Sequence, residues 1–177
     1  MLYPGAGVGG HCIPKDPWLL SYRAQAKGTA VRLIPAARAV NDGMPLHIAG
    51  LLADALGEVD VSLADARVLV LGYAYLENSD DTRNSPSAVL VEALTAQGTE
   101  VAVHDPYVPG YQGNVTALAE GADAVVMMVK HQDYAALDWT EIRTVLRHPV
   151  LIDGRAALRT QPDGYRIRVI GEATYVS

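Results

Sequence analysis

The 177-residue chain has no phenylalanine and a single cysteine, Cys12. One cysteine excludes an intramolecular disulfide and suits a reducing compartment, so a cytoplasmic protein is expected. The opening MLYPGAG has no basic stretch followed by an apolar core and is not read as a secretory signal. No uncharged apolar run reaches the roughly 18 residues of a membrane span. Fourteen Lys and Arg against twenty Asp and Glu give a net charge of −6, which leaves no basic footprint for nucleic acid. Neither an internal repeat nor a low-complexity stretch stands out. The aromatic load falls on nine Tyr and two Trp, a bias without a functional account. With half its residues hydrophobic, the chain reads as a soluble globular protein of one large or two small domains.

What is present concentrates at the front. Residues 5–16 read GAGVGGHCIPKD and place Cys12 directly behind four glycines. Glycine lets the backbone approach a neighbour closely and adopt positive φ. Beside His11 and Lys15 a cysteine would sit in an electropositive setting that favours the nucleophilic thiolate. The alternative is a small buried hydrophobe, the usual fate of a free cysteine.

The rest divides in two. Residues 17–27 read as a short helix ended near Gly28, and apolar residues at helical spacing run from about Pro35 through Leu56. Pro45 suits the first turn of a helix, which predicts a break at Asn41-Asp42-Gly43 with Asp42 or Gly43 as cap. Residues 1–57 therefore form a helical segment. From 65 to 177 the pattern alternates, with strands expected at 68–75, 100–106, 123–130, 149–154 and 165–171. Helices are expected at 85–98, 117–122 and 139–147. Near-continuous apolar strands separated by helices predict an α/β, Rossmann-like, doubly wound parallel sheet.

Two loops invite a nucleotide. Gly5, Gly7 and Gly10 have the spacing of a dinucleotide fingerprint, but its warrant is a strand–loop–helix context that this loop is not expected to have. The loop after 68–75 carries only Gly72. Ligands in open parallel sheets collect at the carboxyl ends of strands, so a phosphate is expected near Asn78–Ser85, at a helix N-terminus.

The 5–16 loop resembles the active-site cysteine loop of the UDP-glucose/GDP-mannose dehydrogenase family. Its His-Cys-Ile-Pro form followed by Asp-Pro-Trp is most similar to the branch that oxidises N-acetylhexosamine nucleotides. VLVLGYAYLENSDDTRNSP at 68–86 and VHDPYVP at 103–109 resemble successive parts of the family's C-terminal substrate domain. The resemblance implies NAD-dependent oxidation of a UDP-N-acetylhexosamine or UDP-hexose to the uronate, in polysaccharide biosynthesis. In that chemistry Cys12 adds to the sugar aldehyde and becomes a thioester that water cleaves, and Asp16 positions or deprotonates that water.

Further roles follow only from the resemblance. The backbone of Gly7, Gly9 and Gly10 matches the loop lying against the sugar, with His11 a candidate sugar contact. Lys15 matches a family lysine or serves as a loop ion-pair partner. Tyr75 and Leu76 match an aromatic–lysine pair that contacts the nucleotide sugar, so Leu76 stands where a cation is expected. Charge-assisted phosphate contacts contribute about 1.5–3 kcal/mol, and losing one would weaken binding about tenfold or more. Arg155 is the preferred phosphate contact because a guanidinium fork suits phosphate. Arg83 is a structural candidate that would pair with Asp80 or Asp81. Asp105 is either a strand-end acid or the start of a turn before Pro106.

The family places an NAD domain and a catalytic lysine ahead of the cysteine loop. The reading is thus a truncated, substrate-binding half, inactive alone, with NAD held only in the complete enzyme. A partner chain carrying the NAD domain would complete it. A homodimer through the 35–56 helix and poor solubility of the isolated chain are also expected. The alternative is a non-catalytic UDP-sugar-binding or dimerising remnant.

Overall fold

Three apolar segments, 68–71, 124–127 and 150–152, rich in Val, Leu, Ile and Ala, form the centre of the fold, because only strands buried on both faces can hold such continuous runs. The computed structural model describes residues 5–172. Two helices come first, α1 (Asp16–Gln25) and α2 (Leu33–Gly57), then β1 (Arg67–Leu71) and α3 (Pro86–Ala96). There follow β2 (Glu100–His104), α4 (Val115–Ala119), β3 (Ala124–Met127), α5 (Trp139–Val145), β4 (Val150–Asp153) and β5 (Arg166–Val169). The five strands are all parallel, in the order β2-β1-β3-β4-β5. The sheet is the doubly wound α/β arrangement that the sequence predicts, with each strand ending one to four residues earlier than its apolar run.

Alternation within the strands sends side chains to two cores. Val68, Val70, Val126 and Ile152 meet α2 and α3 on one face. Leu69, Leu71, Met127 and Leu151 meet Val115, Tyr134 and Ile142 on the other. Helices therefore cover both faces. The strand order reverses at β1, so the crevice between the β1 and β3 loops is where such a sheet takes its ligand.

The expected helix break at Asn41-Asp42-Gly43 is absent. α2 runs without interruption through Pro45, which is buried. An interior proline costs about 3 kcal/mol, but Ile48, Leu52 and Leu56 are fully buried against the sheet. Each such side chain contributes about 1.5–3 kcal/mol, so packing outweighs the break. Asp42 pairs with Arg38 one turn back instead of capping a helix. The turn at 58–62 joins α2 to the sheet region, and the last turns of α2 pack on the sheet itself. α1 is different: none of its residues is buried.

Candidate active site at the carboxyl end of the sheet

Two strand-end aspartates build the floor of this region. Asp105, fully buried after β2, accepts from the Tyr73 and Ala74 amides at 2.7 and 2.9 Å. Its other oxygen accepts from the Tyr107 and Val108 amides at 2.9 and 3.1 Å. His131 donates to it from Nε2 at 3.1 Å, while Nδ1 accepts the Asn78 amide at 2.9 Å. With Nδ1 accepting, the ring proton sits on Nε2. Burial alone would raise the Asp105 pKa, but the His131 bond and the amide bonds hold it well below the usual carboxylate range. Asp153, also fully buried, does the same for the loop after β4, accepting from the amides of Arg155, Ala157 and Leu158.

Asp105 thereby fixes the chain from Gly72 onward. Gly72 has φ +92°, and a methyl group there would stand 2.4 Å from the Val129 Cβ. Only glycine lets the β1 and β3 loops meet so closely. Beside them opens a pocket of about 570 Å³, lined by Asn78, Lys130, His131, Trp139 and Arg159 among others. An aromatic wall with cations at its mouth can stack a base and pair with phosphate.

The glycine segment docks beside this pocket, on the loop that follows β1. The Gly10 amide donates to the Arg83 carbonyl at 2.9 Å, and Asn84 Nδ2 donates to the Gly10 carbonyl at 2.9 Å. A methyl at Gly9 would stand 2.3 Å from the Asn84 carbonyl, and one at Gly10 would stand 2.7 Å from the Tyr75 ring. Gly7, at φ +117°, lies against Pro86. The close approach these glycines permit is therefore to residues 75–86 of the same chain.

This docking corrects the phosphate site expected at Asn78–Ser85. Ser85 Oγ accepts the Ser87 amide and the Ser85 carbonyl accepts the Ala88 amide, with Pro86 between. The first amides of α3 are satisfied internally and Gly9 covers the helix start. Among the described residues the amides that open α3 are therefore already taken, and the anion site expected at this helix end is not formed by them.

Cys12 is exposed, not a buried hydrophobe. Its carbonyl accepts the Asp16 amide at 2.8 Å in the turn that opens α1. Cys12 and Asp16 share the wall of one small hollow with Ile13 and Leu20. Lys15 Nζ is 3.7 Å from Asp16, both well exposed. The Arg83 guanidinium lies within electrostatic reach of Cys12 and is itself held by Asp81, at 2.9 Å from Nε and 2.5 Å from Nη2. The hydrogen bond from Arg83 lowers the Asp81 pKa to about 2. His11 is exposed and close enough to Asp81 to contribute to that lowering.

Arg155 connects the two halves of the site. Its guanidinium lies over Gly5, where a methyl would stand 2.6 Å from Nη1, and 3.6 Å from Glu77 at the pocket rim. Tyr75 is half-buried under Gly10, and Leu76 projects 51% exposed beside it. The geometry thus sets Tyr75 and Arg83 against Gly10, two residues ahead of Cys12, and Arg155 against Gly5 and the Glu77 rim of the pocket.

Sequence reasoning missed His131, Asn84 and Asn41. Asn41 Oδ1 accepts the Val8 amide at 2.8 Å and its Nδ2 donates to the Val8 carbonyl at 3.1 Å. An asparagine in mid-helix was the available signal, since its side chain competes for backbone partners. His131 has none in sequence, because Asp105 lies 26 residues away.

The residues do not fit a dinucleotide. Gly7, Gly9 and Gly10 pack on residues 75–86 of the same chain, the helix that follows begins only at Asp16, and the loop after β1 has Gly72 alone. Among the described residues no group of three His, Cys, Asp or Glu could hold a metal ion, and no helix of theirs is long and apolar enough to cross a membrane.

Comparison with known proteins identifies the fold's relatives. Residues 69–160 match the UDP binding domain of the UDP-glucose/GDP-mannose dehydrogenase family, and residues 1–43 match its central domain. The UDP-N-acetyl-D-mannosamine dehydrogenase of Pyrococcus horikoshii is 41% identical over 95% of this chain. The UDP-glucose 6-dehydrogenase of Rhizobium meliloti is 32% identical over 96%. The chain spans about 40% of the length of these relatives. The solved structure of the P. horikoshii UDP-D-ManNAc dehydrogenase superposes with a TM-score of 0.90, covering 96% of this chain and 40% of that one. That of an NDP-N-acetyl-D-galactosaminuronic acid dehydrogenase from Methanosarcina mazei, 34% identical, does so at 0.87, covering 97% and 40%. With both of its halves matched, in sequence and in fold, the chain belongs to the UDP-glucose/GDP-mannose dehydrogenase family.

Proposed function

We propose that these residues form the substrate-binding part of a nucleotide-sugar dehydrogenase that oxidises a UDP-linked N-acetylhexosamine to its uronate, in the cytoplasm. The observation that carries the reading is the docking of the glycine segment on residues 75–86, which sets Cys12 and Asp16 beside the nucleotide domain. The nucleotide occupies the pocket beside Trp139 and Lys130, its phosphates run toward Arg155, and the sugar reaches the Cys12 hollow.

The chemistry assigned to this chain is nucleophilic and basic. The Cys12 thiolate adds to the C6 aldehyde carbon: a C–S bond forms and the carbonyl oxygen takes a proton, giving a thiohemiacetal. At the later thioester, Asp16 accepts a proton from water as the water oxygen attacks the acyl carbon. The C–S bond breaks, Cys12 leaves as thiolate and the carboxylate is released. Two oxidations, of the C6 alcohol to the aldehyde before these steps and of the thiohemiacetal to the thioester between them, would each pass a hydride to a dinucleotide acceptor, NAD in this reading, bound outside these residues. Residues 1–177 by themselves are therefore expected to bind the sugar nucleotide and turn none over. A further chain or segment that binds NAD would complete the site.

The same reading makes the protein a homodimer. α1 buries nothing, and Leu20, Tyr22 and Leu33 are 63%, 74% and 78% exposed. An apolar surface of that kind is covered by a partner or aggregates. A second reading, a binding remnant without chemistry, is favoured by Leu76, an exposed leucine where the family resemblance implies a lysine.

Calorimetric titration of the chain with UDP-N-acetylmannosamine, UDP-glucose and NAD, with Cys12→Ser as control, tests both. Saturable binding of a UDP-sugar and none of NAD is expected. Binding of NAD, or of no sugar nucleotide, overturns the proposal. If the sugar nucleotide binds but leaves the Cys12 alkylation rate unchanged, the remnant reading stands instead.

A further inference from the structure

The residue that holds the cysteine segment from below is Asn41, in the middle of α2. Its carboxamide pairs with the Val8 backbone on both sides, accepting the amide at 2.8 Å and donating to the carbonyl at 3.1 Å. This is the pairing a neighbouring strand would offer, supplied by one side chain. Beyond that pairing, the segment is anchored two residues later, where Gly10 is fixed to Arg83 and Asn84. With the Ala6 amide donating to the Gly154 carbonyl at 2.8 Å, it is thus clamped at three points, six, four and two residues ahead of Cys12.

Two further features converge on Asn41. Pro45 lies four residues on and has no N–H, so the Asn41 carbonyl loses its i+4 helical donor and the proline ring crowds it. Gly7 runs beside that carbonyl: a methyl at Gly7 would stand 3.3 Å from it. α2 therefore gives up a helical bond at the turn where the cysteine segment packs. An asparagine in mid-helix and a buried proline one turn later are both unfavourable for a helix alone. Together they make a cradle for residues 7–8.

We infer that Asn41 is a positioning residue for Cys12, holding the nucleophile loop in register with the nucleotide domain through Val8. The inference rests on the reading of Cys12 as nucleophile. Asn41 touches neither Cys12 nor the nucleotide pocket, so it acts through the loop alone.

The test uses the 177-residue chain with Asn41→Ala and Asn41→Asp, the latter keeping the acceptor for the Val8 amide and losing the donor. Hydrogen exchange at Val8 and Gly10 should speed up at least tenfold in Asn41→Ala, with amides of β3 unchanged, and Asn41→Asp should fall between. UDP-N-acetylmannosamine should protect Cys12 from iodoacetamide in the wild type. In Asn41→Ala the calorimetric affinity should persist while that protection is lost. A role in stability alone would instead lower protection across β3 as well. Unchanged exchange at Val8 and Gly10, or loss spread evenly over the chain, overturns the inference. If the wild type shows no protection of Cys12, the nucleophile reading fails, and the exchange data decide the place of Asn41 separately.

Discussion

The sheet region and the cysteine segment are held by different physics. Around the sheet, apolar side chains are buried on both faces, and the polar groups that share that burial are satisfied by Asp105, Asp153 and His131. The segment 5–34 has almost no core: Ala6 is its buried hydrophobe, and α1 buries nothing. Its position depends on hydrogen bonds to Asn41, Arg83, Asn84 and Gly154 and on glycines that allow contact. Burial contributes tens of side chains at about 1.5–3 kcal/mol each, whereas each hydrogen bond contributes about 1 kcal/mol net. A change in the sheet should therefore register as stability, and a change in the segment as geometry.

The largest effect is expected where several buried donors lose the one carboxylate they share. Asp105→Ala strands the His131 proton and four amides in a dry site, at about 1–3 kcal/mol for each donor left unsatisfied. The urea midpoint of unfolding measures it, and a loss below about 1 kcal/mol would mean that the hub does not hold the loops. Leu52→Ala, at the α2–sheet contact, comes next at about 2–5 kcal/mol for a fully buried leucine. A change below about 1 kcal/mol would show that α2 is no part of the sheet's core and would remove the basis of the contrast.

The same contrast decides how much of the molecule is legible in its sequence. The strands are readable because burial on both faces demands continuous apolar runs, as in DAVVMMVK for β3. Their ends read too long: Gly72–Tyr75 continue the apolar pattern, yet Asp105 takes the Tyr73 and Ala74 amides out of any ladder. Asn41-Asp42-Gly43 reads as a break because local propensity ignores the burial of Ile48, Leu52 and Leu56 further along. Cys12 is found by its setting among glycines, while the partners of those glycines, Asn84 and Tyr75, are invisible at more than sixty residues' distance. The resemblance supplies the family; only contact in space supplies the clamp.

Acid separates the two regions more gently. A carboxylate whose folded pKa lies below its unfolded value adds stability that is complete above the unfolded value. That stability is lost as pH falls through the folded pKa. Asp105 and Asp81 both start from 3.8, and Asp81 falls to about 2. From about pH 4 downward the wild type should lose stability, and Asp105→Asn, with no charge to protonate, should lose less. Asp81 is half-buried, but its partner Arg83 is exposed and the pair is screened by solvent, so Asp81→Asn should leave the acid profile nearly unchanged. Urea midpoints measured from pH 6 to pH 2 check both; equal slopes for wild type and Asp105→Asn would refute the assignment.

The smallest effect on stability should come from Gly9→Ala, and it is the sharpest probe of the segment. Gly9 is not in the left-handed region, so alanine fits its backbone conformation. The obstacle is space alone: the new methyl would stand 2.3 Å from the Asn84 carbonyl, 2.9 Å from Tyr75 Cβ and 3.0 Å from Pro86 Cδ. Since backbone at the start of α3 cannot retreat from its buried cap, the segment must move instead. Little core moves with it, so the cost should stay below about 1 kcal/mol, or some 2–4 °C in the melting midpoint. The Gly10–Arg83 and Asn84–Gly10 bonds should break, exposing the Gly10 amide to exchange, while the pocket beside Trp139 keeps its shape and its nucleotide affinity. A melting midpoint that falls as far as that of Leu52→Ala would mean that the segment is part of the sheet's core. The same small shift with Gly10 still protected would mean that the docking tolerates the methyl, and that close approach is not why glycine stands at position 9.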